Sequence, residues 1–189
     1  TDRCTNIKEV DRSWNNPRLV ITNPDRPSGR GHKLTPPPVK VLAEENSIEV
    51  FQPTSVRKPG QLSRITDVNW DLFIVVAYNH IMPKWLIEIP SHKTLNVHPS
   101  LLPALRGPSP IRTAILKNQP ESVGVSIMLM DEEMDHGPII NSQKYNSDYW
   151  PIEGEELDRS LAELGGDLLV ETIPKWIQGD VSPQEQDHK

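Results

Sequence analysis

The chain has 189 residues, 35% of them hydrophobic and 24% charged, with a formal net charge of −6. That length suits one well-filled core, and no apolar run approaches the roughly 18 residues a membrane span requires. The opening TDRCTNIKEVDRSWNNP lacks a secretory signal's basic-then-apolar order, and the lone Cys4 excludes an internal disulfide and a thiolate metal cage; a cytoplasmic protein with no membrane partner is expected.

In chain order, RLVITN at 18–23 reads as a buried strand. PDRPSGRGHKLTPPP at 24–38 is a long basic loop rich in Pro and Gly. Pro38 then suits the first turn of a helix, PVKVLAEEN, where its missing N–H is not needed. IEVFQP at 48–53 is a second strand, followed by a helical stretch. DLFIVVAY at 71–78 is a continuous apolar run of strand length, expected to be buried on both faces as in a parallel sheet. PKWLIEI forms a short helix. TLNVH at 94–98 is the next strand, with Pro99 pushing His98 toward extended geometry. In PSPIRTAILKN at 108–118, Ser109 is placed to cap a helix with Pro110 at its first position and Ile111, Ala114 and Ile115 as its apolar stripe. SVGVSIMLMD at 122–131 alternates like a strand, and EELDRSLAELGGDLLVETIPKWIQ is helical with Leu157, Leu161, Leu164 and Leu168 on one side. Strands alternating with helices predict one open α/β domain with a mostly parallel sheet flanked by helices.

Side chains two apart on a strand share a face. TLNVH therefore sets Leu95 and Val97 on one side and Asn96 with His98 on the other. An amide N–H can stabilise a developing oxyanion, and an imidazole can move a proton. The partner such a pair needs is a carboxylate, and MDEEMDHG offers Asp131, Glu132, Glu133 and Asp135. Asp135 is preferred because Gly137 beside it allows a sharp turn. The alternative is a capping device at a strand end with a solvated acidic loop. No glycine-rich nucleotide motif, HExxH or GxSxG occurs, so metal-free, non-covalent acyl transfer is what the residues leave.

NVHPSLLPALRG, followed by MDEEMDHG after VSIMLM, resembles the folate-dependent formyltransferases, whose signature is Asn-x-His, then Ser-Leu-Leu-Pro, with an Asp downstream. PDRPSGRGHKLTPPPVKVLAEENSIEVFQP, VVAYNHIMPKWLIEIP and ELGGDLLVETIPKWIQGDVSPQEQDHK are similar to stretches of those members that act on tRNA-borne methionine. The resemblance implies a Rossmann-like sheet and transfer of formyl from 10-formyltetrahydrofolate to the α-amino group of methionine on initiator tRNA, by a monomer without a metal. It gives Asn96 and His98 the oxyanion, His98 the proton for the departing nitrogen, and Asp135 the task of orienting His98 and taking the amine's proton. It places Ser100, Leu101, Leu102 and Pro103 against the folate. Tyr78, Ile81, Met82 and Pro83 would line the pterin pocket beside Asp131, and Arg26, Arg30, His32 and Lys33 would reach the acceptor end of the tRNA.

The family begins with a strand and a first helix; this chain is expected to lack that strand, with residues 1–16 the remnant of the helix. The family also continues into a small β-barrel domain after the point where this chain stops. Asn79 stands where the family often has glycine, and Ala104 where it often has arginine. A nucleotide-linked amino sugar is the alternative acceptor, and a non-catalytic fragment the alternative to an enzyme.

Overall fold

The computed structural model describes residues 17–28 and 32–187, so the expected helix remnant at 1–16 lies outside the described residues. The chain divides into two units, residues 1–68 and 69–189.

In the first unit, β1 (Leu19–Ile21) pairs in parallel with β4 (Glu49–Phe51). The expected basic loop contains an antiparallel pair, β2 (Arg26–Ser28) with β3 (Lys33–Thr35). Pro27, in the middle of β2, opposes Leu34, while Pro24, Pro36, Pro37 and Pro38 lie outside the two strands. Helix α1 (Pro38–Glu45) starts at the proline chosen for it. Lys40 on that helix pairs with Asp25 at 2.9 Å, and the Gln52 amide donates to the same carboxylate at 2.8 Å. The Gln52 hydrogen bond, then Lys40, hold the Asp25 carboxyl below its ordinary range. The hairpin base is thereby tied to the helix. The helical stretch after β4 proves short, a 3-10 turn at Pro59–Gln61 and α2 (Ser63–Thr66).

The second unit is a four-stranded sheet in the order β5 (Phe73–Val76), β6 (Thr94–His98), β7 (Gly124–Leu129), β8 (Ile139–Lys144). Short α3 (Lys84–Ile87) links β5 to β6, which run parallel; β7 and β8 run antiparallel to their neighbours. The α/β class stands, but the sheet is mixed rather than mostly parallel. The reason lies in the connection after β6, which leaves and re-enters at one end of the sheet: Leu101 N–H reaches the Ser122 carbonyl at 3.0 Å, and His98 opposes Ser126. Within that connection, α4 (Pro110–Lys117) begins as expected, but Ser109 contributes no side-chain cap; its carbonyl accepts from the Thr113 hydroxyl instead.

Leu95, Val125 and Ile127 face the long helix α5 (Gly154–Gln178), whose Leu157, Leu161 and Leu168 complete the core. Gly165 permits this approach, because a Cβ there would sit 3.1 Å from the Val97 side chain. Burial of β5 on both faces does not hold: Ile74 and Val76 are 42% and 58% exposed. Among the described residues β5 pairs with β6 alone, and only the Phe73–Val75 face of the strand is half-buried. Helix α5 packs on one face of the sheet. The opposite face of β6 carries Asn96 and His98.

Candidate active site

Strand β6 delivers Asn96 half-buried and His98 buried on the same side. The loop after β7 folds back over that face and brings Asp135 to both. Asp135 Oδ1 lies 3.4 Å from Asn96 Nδ2 and 3.5 Å from His98 Nδ1. Asp135 Oδ2 accepts the Gly107 N–H at 2.8 Å. The three side chains singled out in the sequence thus converge on one carboxylate oxygen. The sharp turn that aims it falls on Asp135 itself, at φ 58°, not on Gly137. Gly137 serves a close approach, since a Cβ there would strike the Leu129 carbonyl oxygen.

His98 is only 4% exposed, and its Nε2 sits 3.0 Å from the Leu105 carbonyl oxygen. A carbonyl can only accept, so Nε2 carries a proton and donates it there. Nδ1 is then the nitrogen that faces Asp135.

The turn after β6 is built inward. Ser100 is fully buried and its hydroxyl donates to the Ala104 carbonyl at 2.7 Å. Ser126 on β7 accepts the Leu102 N–H at 3.0 Å and donates to the Ser100 carbonyl at 2.7 Å. Leu102 is buried, Leu101 half-buried and Pro103 exposed, with the Leu102–Pro103 peptide cis. The Ser100 hydroxyl and the Leu102 side chain therefore hold the turn's shape, while Leu101 and Pro103 present its outer surface.

Tyr78 is half-buried after β5, its hydroxyl pKa pushed up by burial, with its ring 5.0 Å from that of His80. Ile81 is 65% exposed, and Met82 and Pro83 are half-buried. Lys84 meets Glu132 at 3.7 Å, so this segment lies beside the acidic loop. Asp131 is exposed and accepts the Glu133 N–H at 2.9 Å. In the first unit, Arg26, His32 and Lys33 are exposed on the β2–β3 hairpin; Arg30 lies outside the described residues.

The sequence reading missed three groups that build this site. Ser126 was counted only as part of an alternating strand. Arg106 and Gln186 were not singled out, yet Gln186 donates to the Asp135 and Gly137 carbonyls at 2.9 and 2.7 Å and accepts from Arg106. Nothing in local spacing marks Gln186; the contact exists only in the fold. Among the described residues no cluster of three or more His, Cys, Asp or Glu could hold a metal, and no helix is long and apolar enough to cross a membrane.

An amide, an imidazole and a carboxylate on one face of a mixed α/β sheet form a candidate group-transfer site. Residues 5–173 match the formyl transferase family, and the chain belongs to it. It is 41% identical over 188 residues to a methionyl-tRNA formyltransferase of Citrifermentans bemidjiense, covering 97% of this chain and 57% of that protein. It is 44% identical over 173 residues to one from Synechococcus sp. JA-3-3Ab, covering 89% and 52%. The chain thus spans little more than half the length of these relatives. An N-formyltransferase from Helicobacter canadensis, solved with folinic acid and dTDP-3-aminofucose, shares the fold at TM-score 0.69 and 22% identity, covering 90% of this chain and 57% of that one.

Proposed function

We propose that the chain is the catalytic domain of an enzyme that moves a formyl group from 10-formyltetrahydrofolate to the α-amino group of methionyl initiator tRNA. The observation that carries this reading is the meeting of Asn96, His98 and Asp135 around one oxygen. The tRNA acceptor rests on the two relatives at 41% and 44% identity. The family match runs through both units, which supports one domain.

The apolar side chains beside the triad suit a flat ring bound next to a polar reacting end: exposed Ile81 and Met134, with half-buried Tyr78 and Met82. The bound donor supplies a formyl carbon and a nitrogen that leaves with a proton. Asn96 directs its N–H at the formyl oxygen as charge grows there. Asp135 takes the proton of the attacking amine and holds the His98 ring by its Nδ1 side. His98 receives that proton from Asp135 on Nδ1 and delivers it to the departing nitrogen, since Nε2 is committed to Leu105. Arg26, Arg30 and Lys33 supply positive charge, and His32 a hydrogen-bonding ring, for the tRNA's acceptor end.

Formylation of charged initiator tRNA, run beside a nucleotide-linked amino sugar, tests the assignment. Asn96→Ala should lower the single-turnover rate on tRNA by about two to three orders of magnitude, as for other oxyanion donors. A rate within threefold of the parent would remove Asn96 from the chemistry, and formylation of the sugar alone would replace the acceptor.

A further inference from the structure

We propose that Gln186 is a positioning residue whose buried amide fixes where Asp135 meets His98; this rests on the formyl-transfer reading above. A side-chain amide has two N–H donors and an acceptor oxygen with two lone pairs. Gln186 uses all of them while only 5% exposed. Its Nε2 donates to the Asp135 carbonyl at 2.9 Å and the Gly137 carbonyl at 2.7 Å. Its Oε1 accepts from Arg106 Nε at 3.1 Å and Nη2 at 2.7 Å.

The two segments it joins are those that frame the reacting groups. Arg106 stands between Leu105, whose carbonyl holds His98 Nε2, and Gly107, whose N–H holds Asp135 Oδ2. Asp135 and Leu105 both have φ 58°, the left-handed region that side-chain-bearing residues rarely adopt. Such conformations persist only where surrounding structure over-determines them. Gln186 grips the carbonyl of the first and the neighbour of the second. It is itself held in place, because Gln184 exchanges two 2.8 Å backbone bonds with Ile139 at the start of β8, and the Asp187 carbonyl accepts from Arg106 at 3.3 Å. None of its bonds goes to the Asp135 carboxylate, Asn96 or His98, so it acts through geometry alone.

The test compares the full chain with Gln186→Met, which keeps length and removes every hydrogen bond, and with the near-isosteric Gln186→Glu, which keeps the acceptor for Arg106 but has no donor for the two carbonyls. Hydrogen exchange at the Gly107 amide reports whether Asp135 Oδ2 still sits against it. In both variants that amide should exchange at least tenfold faster while Val125 and Ile127 in β7 keep the parent's rate, and kcat for formylation should fall ten- to hundredfold with KM for the formyl donor within twofold. An unchanged Gly107 amide overturns the proposal, as does acceleration of the β7 amides in step with it, which would mean general destabilisation. A variant kcat within twofold of the parent, where His98→Ala has lost its rate, also overturns it. His98→Ala running at the parent's rate sinks the formyl-transfer reading instead, an outcome separate from the behaviour of Gly107.

Discussion

Replacing Asp135 by asparagine changes one atom's chemistry and almost no volume, and the structure says what should follow. The Gly107 N–H needs an acceptor at 2.8 Å, so the new amide must turn its oxygen there. Its NH2 then occupies the place of Oδ1, between Asn96 Nδ2 at 3.4 Å and His98 Nδ1 at 3.5 Å. Facing a donor, His98 Nδ1 can only accept. Its single proton stays on Nε2 and remains engaged with the Leu105 carbonyl. No base is left for the attacking amine, and no proton for the departing nitrogen. General acid–base assistance is worth about 10²–10⁴ in rate, or about 2.7–5.4 kcal/mol of barrier. The fold loses much less, because the Gly107 bond survives without its charge: about 1 kcal/mol, or roughly 2–4 °C in a domain of this size. Single-turnover formyl transfer and thermal unfolding followed by circular dichroism measure the two effects on the same sample. A variant that reacts within threefold of the parent refutes this role for Asp135. So does a drop in melting of about 10 °C or more, because the carboxylate would then be a structural group.

Ser126→Ala strips partners from the buried Leu102 N–H and Ser100 carbonyl; at about 1–3 kcal/mol for each group left unsatisfied, calorimetry should show a loss of roughly 4–24 °C, and a loss under about 2 °C would contradict it. The Glu153 carboxyl caps α5 by accepting from the Glu155 and Glu156 N–H groups, which together with the charges of Arg112 and Arg159 hold it below its ordinary value of 4.5. A depressed folded-state value means its stabilisation is present above 4.5 and disappears as pH falls through the folded value. Parent and Glu153→Gln melting curves should therefore differ above that pH and converge below it; a constant separation across the acid range would refute the cap's charge dependence. Neutralising Arg26 and Lys33 on the hairpin should flatten the log–log salt dependence of tRNA binding by about one to two units, since each phosphate contact contributes about 0.7–0.9. An unchanged slope takes the hairpin out of the interface.

What the sequence made legible was local. Asn96 and His98 could be placed on one face because strand periodicity is strict, and Pro38 and Pro110 marked helix starts because a helix's first turn does not need proline's missing N–H. Strand β8 was not assigned, since IINSQK has no clean alternation; its place comes from pairing with β7, where Val125 opposes Gln143. Ile74 and Val76 looked like core because apolarity reports what a strand can bury and says nothing of what covers it. Asp135 was chosen for the glycine two residues on, whereas its position depends on a left-handed turn at a non-glycine residue and on Gln186, 51 residues away. Contacts of that range leave no periodic trace in sequence.

The distances themselves separate the frame from the proposed reacting groups. Bonds that hold the loops are short: 2.7 Å from Ser126 to Ser100 and from Gln186 to Gly137, and 2.8 Å from Gly107 to Asp135. The contacts among Asn96, His98 and Asp135 are 3.4 and 3.5 Å, at the weak limit of hydrogen bonding. A group entering between them breaks little, while the same donors and carboxylate, kept on a stiff frame, can close on it as charge develops. That is the condition for binding a transition state more tightly than a ground state. It requires the slack to lie in the triad and not in its supports. Tightening the triad in the empty protein would stabilise the fold and slow the reaction, whereas loosening Gln186 would slow the reaction without tightening anything.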